Sequence, residues 1–145
     1  MAKIYHVTPM LRMVNRTMRL MIRLGVAPKN THLLTVRGRK TGRSYSTPVS
    51  LVIHGQDSWL VSPYGEVAWV RNARVAGEVI LSRKGTSETV KISELGPEAS
   101  APILQEYIKN ESITRPYFDV TLDSPLEAFI AEAPRHPVFR IQRGA

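Results

Sequence analysis

The sequence contains no cysteine. Disulfides, thiolate-bound metals and a cysteine nucleophile are therefore excluded, and a reducing compartment is the expected setting. Long apolar runs are lacking as well. The most apolar early stretch, Met10 to Leu24, is too short to cross a bilayer and is interrupted by Arg12, Arg16, Arg19 and Arg23. No secretory signal, internal repeat or low-complexity tract is visible, so one cytoplasmic domain over residues 1–145 is expected. His6, His32, His54 and His136 show no ligand spacing to one another or to a carboxylate cluster, so no metal site is expected. No serine lies on a nucleophile elbow. The chain shows no catalytic side-chain set of its own; if it is an enzyme, a cofactor carries the chemistry.

Negative charge is missing from one end only. The first acidic residue is Asp57, and ten Lys or Arg precede it, giving that stretch +10. The remainder holds ten basic and twelve acidic residues, so it carries −2 of the net +8. Such asymmetry creates a positive field that attracts phosphate, nucleic acid or an anionic membrane, unless it is merely a solvated basic face.

Residues 8–24 read as an amphipathic helix, with Thr8 as cap, Pro9 at the first helical position and Gly25 at the end. Its four arginines fall on one stripe, and apolar side chains fill most of the rest. The helix could pack on the domain, lie on a membrane surface at its inner face, or cover a partner subunit.

From Thr31 the pattern turns to strands: 31–37, 46–53 and 58–62, the last two joined by a tight hairpin at Gly55. A short helix over 66–74 follows Pro63-Tyr64-Gly65, and a second hairpin pairs 78–82 with 89–92 around Lys84-Gly85. Pro97 opens a helix whose core face is Ala101, Leu104, Tyr107 and Ile108. Ser124-Pro125-Leu126-Glu127 has the form of a capping box for another, and residues 138–141 close as a strand. Hairpins without a βαβ rhythm predict an α+β fold: an antiparallel sheet curled into a barrel, with helices at its ends.

The turn Gly38-Arg39-Lys40-Thr41-Gly42-Arg43 sits in the acid-free stretch. Its glycines allow consecutive backbone N–H groups to converge on an anion, and Arg39, Lys40, Arg43 and Thr41 add charge and a hydroxyl. A polar hairpin turn that happens to be basic is the simpler alternative. The turn is not a phosphate-binding P-loop, because the spacing is wrong and no helix follows. Trp69 and Asn72 share one face of the short helix, where they either face a ligand or serve as a core ring and a helix cap.

Residues 33–42, then Thr47-Pro48, Ser62 and the run Trp69-Val70-Arg71-Asn72 continuing to Val79, resemble the deazaflavin-dependent nitroreductase family. These are actinobacterial split β-barrel oxidoreductases, FMN-binding-like in fold, that use coenzyme F-420, an 8-hydroxy-5-deazaflavin. The resemblance implies a coenzyme whose phosphate and oligoglutamate tail lies at the basic turn, held by Arg39, Lys40, Thr41, Gly42, Arg43 and Ser44. It implies a ring lined by Pro48, Leu60, Val61, Ser62, Ala68, Trp69 and Asn72. FMN is the less favoured ligand. Ser62, Tyr64 and Tyr117 are the candidate catalytic donors toward the acceptor.

The loop before Trp69 is shorter than the family's, Tyr45 replaces a basic residue, and the usual Asn-Pro after the helix is Ala76-Gly77. A preference for nitroimidazoles therefore does not carry over. The expected function is hydride transfer from reduced coenzyme F-420 to a quinone, enone or nitro compound by a monomer or homodimer. A non-catalytic deazaflavin or flavin carrier is the alternative. A nucleic-acid-binding module ranks last, because few aromatics are interleaved with the basic residues for stacking.

Overall fold

Strands on which apolar residues alternate must find a common interior, and here six of them close a barrel. In a computed structural model the described residues are 9–24 and 30–143. The strands are β1 (Thr31–Arg37), β2 (Ser44–His54), β3 (Asp57–Val61), β4 (Glu78–Arg83), β5 (Thr86–Glu94) and β6 (Val138–Gln142). They pair antiparallel throughout in the order β1-β2-β3-β6-β5-β4, and β4 pairs back with β1. The helices are α1 (Pro9–Leu24), α2 (Ala68–Ala76), α3 (Pro97–Asn110) and α4 (Leu126–Glu132), so the α+β barrel expectation holds.

The interior takes alternate residues: Leu34 and Val36 from β1, Val49 and Leu51 from β2, Leu60 from β3, Phe139 and Ile141 from β6. Their neighbours Val52, Val61 and Val138 face outward into a second cluster with Leu104 and Ile108 of α3 and Phe129 of α4. This double duty explains why Leu51-Val52, Leu60-Val61 and Val138-Phe139 are apolar pairs rather than alternating residues. Helix α2 contributes Val70 and Ala73 to the barrel interior and ends at Gly77, whose φ of 74° suits a left-handed cap.

The Lys84-Gly85 hairpin has positive φ at both turn residues, 54° and 78°, the twist that antiparallel strands favour. The predicted capping box at Ser124 does not form. Pro125 occupies the N-cap position, and Ser124 Oγ instead accepts the Thr121 N–H at 2.9 Å. Thr8 and Gly25 lie outside the described residues.

Helix α1 rests on the barrel through Ile22, 1% exposed, and through Arg19, which donates to the Ser46 carbonyl. The Ile22 carbonyl accepts the Lys84 N–H at 3.1 Å. Met13, Leu20 and Leu24 remain exposed, so the core uses only part of the apolar arc. Among the described residues no helix is long and apolar enough to cross a membrane.

Phe139 is 1% exposed on β6, the strand that closes the barrel between β3 and β5. Phe139→Ala should cost about 3–5 kcal/mol in urea unfolding. A loss below about 1 kcal/mol would show that the barrel interior is not the main core.

Candidate functional site

The β1–β2 turn is held rigid by its own backbone. Gly38 N–H donates to the Arg43 carbonyl at 2.6 Å, and Gly42 N–H, at a φ of 73°, donates to the Gly38 carbonyl at 3.0 Å. Arg43 N–H donates to Thr41 Oγ1 at 3.3 Å. Arg39 N–H leaves the turn altogether and donates to Asn72 Oδ1 at 3.1 Å. These four amides are thus engaged within the protein, which corrects the expectation of a converging backbone cradle. What the turn presents toward the cavity is chiefly the side chains of Arg39, Lys40 and Thr41.

Arg39 Nη1 also donates to Asn72 Oδ1, at 2.8 Å. The single acceptor therefore orients both the backbone and the guanidinium of Arg39. Asn72 is only 5% exposed, and it bolts the turn to α2 instead of capping the helix. With its oxygen so engaged, the group it offers a ligand is the amide N–H donor. Trp69, half-buried, tilts against Phe139 with ring centroids 5.9 Å apart. Core contact and cavity wall are combined in one side chain.

Between the turn, the start of β2 and α2 lies a cavity of about 500 Å³. Arg39, Lys40, Thr41 and Tyr45 form one side, and Val67, Ala68, Trp69 and Asn72 form the other. No acidic residue lines it, so its charge is positive at the turn and its opposite wall is largely apolar. Tyr45 is placed by Gly38: a Cβ there would come within 2.5 Å of the Tyr45 ring. The phenol hydroxyl is 3.2 Å from Thr41 Oγ1, which fixes the ring over the turn.

Of the residues predicted to hold the coenzyme, Arg39, Lys40, Thr41, Ala68, Trp69 and Asn72 meet at this cavity. Gly42 and Arg43 are exposed on the turn beside it. Ser44 lines a separate cleft of about 350 Å³ with Arg37, Ala76 and Glu78. Pro48 lies on β2 opposite Leu33, Leu60 points into the barrel, and Val61 points toward α3 and α4.

The candidate catalytic residues lie elsewhere than on this lining. Ser62 is fully buried, and its hydroxyl donates to the Gly65 carbonyl at 2.6 Å. Tyr64 and Tyr117 meet edge to face, with ring centroids 4.8 Å apart.

Sequence reasoning placed Gly38 in the anion turn but missed Tyr45, Ser46, Thr47 and Val67 as wall residues. Period-two alternation could have found two of them, since Tyr45 and Thr47 continue the inward series of Val49 and Leu51. It also missed a buried pair behind the Ser62–Gly65 turn, Glu132 and His136, 2.6 Å apart. Glu132 ends α4 and His136 follows the short turn after it, so no helical periodicity in the sequence pairs them. No metal-holding cluster occurs among the described residues.

Two substitutions test this geometry. Asn72→Ala removes a buried acceptor and should cost about 1–3 kcal/mol in stability. Asn72→Asp keeps the acceptor and should hold stability while neutralising Arg39, so anion affinity falls; equal losses of both would contradict the assignment. Gly38→Ala should displace the Tyr45 ring and also press on the Arg43 carbonyl, 3.2 Å from the added Cβ, so the Gly38→Ala/Tyr45→Ala double variant should lose less pyrophosphate affinity than the two single losses added together. Additive losses in that titration would refute the contact.

Residues 10–121 match the family described as F420H(2)-dependent quinone reductase. The matched region takes in α1, the basic turn and both walls of the cavity. No curated protein matches by sequence.

Among solved structures, a protein of unknown function from Agrobacterium tumefaciens aligns with a TM-score of 0.61 and 13% identity. The alignment covers 90% of this chain and 55% of that one, so this chain spans about half the length of that protein. An F420-H2-dependent reductase, FDR-A, aligns with a TM-score of 0.53 and 18% identity, covering 79% of this chain and 95% of that one. General stress protein 26 from Bacillus anthracis aligns at 0.52 and 12% identity, covering 89% and 88%. At these identities the structures share the split β-barrel fold. The family pattern spans most of the sequence, and the chain belongs to the F420H(2)-dependent quinone reductase family.

Proposed function

We propose that this protein reduces an electron-poor acceptor, a quinone in the first instance and an enone or nitro compound by the same chemistry, with reduced coenzyme F-420. The observation that carries the reading is the polarity of the cavity: cations and a hydroxyl on one side, an apolar aromatic wall on the other. A coenzyme with an anionic phosphate and oligoglutamate tail and a flat ring matches that division. The donor set fits the group: Arg39 offers a forked grip, Lys40 a mobile point charge, and Thr41 a hydroxyl.

When bound, the reduced deazaflavin supplies a hydride, and the quinone takes up that hydride and one proton to become a hydroquinone. The chain's own part is orientation and electrostatics. Arg39 is pre-set by Asn72, so little side-chain freedom is lost when it meets phosphate. Trp69, backed by Phe139, gives the ring a fixed surface, and Val67 and Ala68 extend that surface and exclude water. Gly42, Arg43 and Ser44 would follow the outer part of the tail, and Pro48, Leu60 and Val61 would act through the strands behind the ring. Tyr64 and Tyr117 are the phenols assigned to the acceptor side. Ser62 supports them by tying the turn that carries Tyr64.

The direct test mixes the purified protein with reduced and oxidised coenzyme F-420 and with FMN, followed by fluorescence, then adds quinones, enones and nitro compounds. Coenzyme F-420 should bind and be oxidised by at least one acceptor. Tight FMN binding with no deazaflavin binding would defeat the reading, and deazaflavin binding without turnover would point to a carrier. Coenzyme affinity should fall roughly tenfold between about 0.05 and 0.5 M salt, and Lys40→Ala should flatten that dependence. A salt-independent affinity would contradict the assignment of the tail to the turn.

A further inference from the structure

Glu132 and His136, both outside the family-matched residues 10–121, form a buried polar pair bonded to the turn that leads into α2. Glu132 on α4 and His136 just after it are 2% and 3% exposed. The His136 ring stacks on Phe118, with centroids 3.8 Å apart and planes 17° from parallel. Its Nδ1 is 2.9 Å from the Pro63 carbonyl oxygen, and its Nε2 is 2.6 Å from Glu132 Oε2. A carbonyl oxygen can only accept, so Nδ1 must carry a proton and donate it. A second proton must lie between Nε2 and the carboxyl, since two lone pairs do not approach so closely.

The charged groups around the ring are few. Glu132 also accepts from Arg135 through Oε1 and from the Asp119 N–H at 3.3 Å through Oε2, and Arg135 in turn pairs with Asp119 at 2.7 Å. Burial lowers the proton affinity of His136, while Glu132 and the Pro63 carbonyl oppose that shift.

Pro63 begins the turn that leads from β3 into α2. Two further points of that turn face the segment that carries His136. Ser62 N–H donates to the Pro137 carbonyl at 2.9 Å, and a Cβ on Gly65 would lie 3.4 Å from the Arg135 carbonyl. The Gly65 carbonyl accepts the Val67 N–H at 3.0 Å, and Val67 is the N-cap of α2. Val67, Ala68, Trp69 and Asn72 follow directly as cavity wall.

We propose that His136 is a positioning residue for the α2 wall of the coenzyme cleft, acting through its Nδ1–H bond to the Pro63 carbonyl. The proposal rests on the reading of that cleft as the coenzyme site. His136 sets where α2 begins, α2 sets where Asn72 stands, and Asn72 sets Arg39, so a residue remote from the ligand fixes both ends of its cleft.

The experiment compares His136→Asn, His136→Gln, His136→Ala and Glu132→Gln for coenzyme F-420 affinity and for melting temperature. An Asn amide can take the place of Nδ1, whereas a Gln amide takes that of Nε2. Glu132→Gln can donate to Nε2 and leaves the Nδ1–H bond in place. His136→Asn and Glu132→Gln should bind within about threefold of the parent, even where they melt earlier, and His136→Gln and His136→Ala should bind about tenfold weaker or worse.

If His136→Ala does not fold, the Asn against Gln contrast decides. Affinity that follows melting temperature across the variants, or affinity unchanged in all, would overturn the proposal. In the parent protein, 15N spectra of the His136 ring should show Nδ1 protonated across the folded pH range, and a bare Nδ1 at neutral pH would overturn it independently. A parent that binds no coenzyme F-420 would instead defeat the functional reading, which the ring spectra do not address.

Discussion

Asn72 Oδ1 accepts two hydrogen bonds from Arg39, a residue 33 positions earlier. A loop between strands and a short helix beyond the next hairpin have no local reason to stay together, and each would lose conformational freedom in being fixed. The buried amide oxygen supplies that reason, because two donors of a charged residue converge on it in a place where water is scarce. Without it the turn is a basic hairpin and α2 is a plug in the barrel. With it, the space between them becomes a cleft with a positive end.

Charge and packing then act on different parts of that cleft. The turn belongs to a stretch of +10 with no acid before Asp57, so its field extends beyond contact distance until salt screens it. The opposite wall is neutral and is held by the barrel interior through Val70 and Ala73 and by the Trp69–Phe139 contact. On the proposed reading, an anionic tail and a flat ring would each meet the part that matches it. The turn that leads into α2 is tied in addition to the Glu132–His136 pair, through the Pro63 carbonyl.

Much of the barrel could be read from the sequence because its determinants are local. Strand β1 was bounded correctly at Thr31 and Arg37, and the turns at Gly55 and Gly85 follow from glycines, which adopt positive φ without strain. Family resemblance and charge together singled out Arg39, Lys40, Trp69 and Asn72. What stayed hidden depends on contacts across the chain. Nothing local distinguishes an Arg39 N–H that serves an anion from one that serves Asn72. Ser124 looks like a cap until Thr121 takes its hydroxyl. Leu60 and Val61 look like a shared ring-side surface until the strand sends them to opposite faces. His136 acquires a role only when the closing segment folds back onto Pro63.

The account is tested most directly by a crystal structure of the protein with coenzyme F-420 bound. It predicts the phosphate within hydrogen-bonding distance of Arg39 and Lys40, and the deazaflavin ring against Trp69 and Ala68. A phosphate seated instead in the cleft beside Arg37 and Ser44, or a ring lying away from α2, would contradict it.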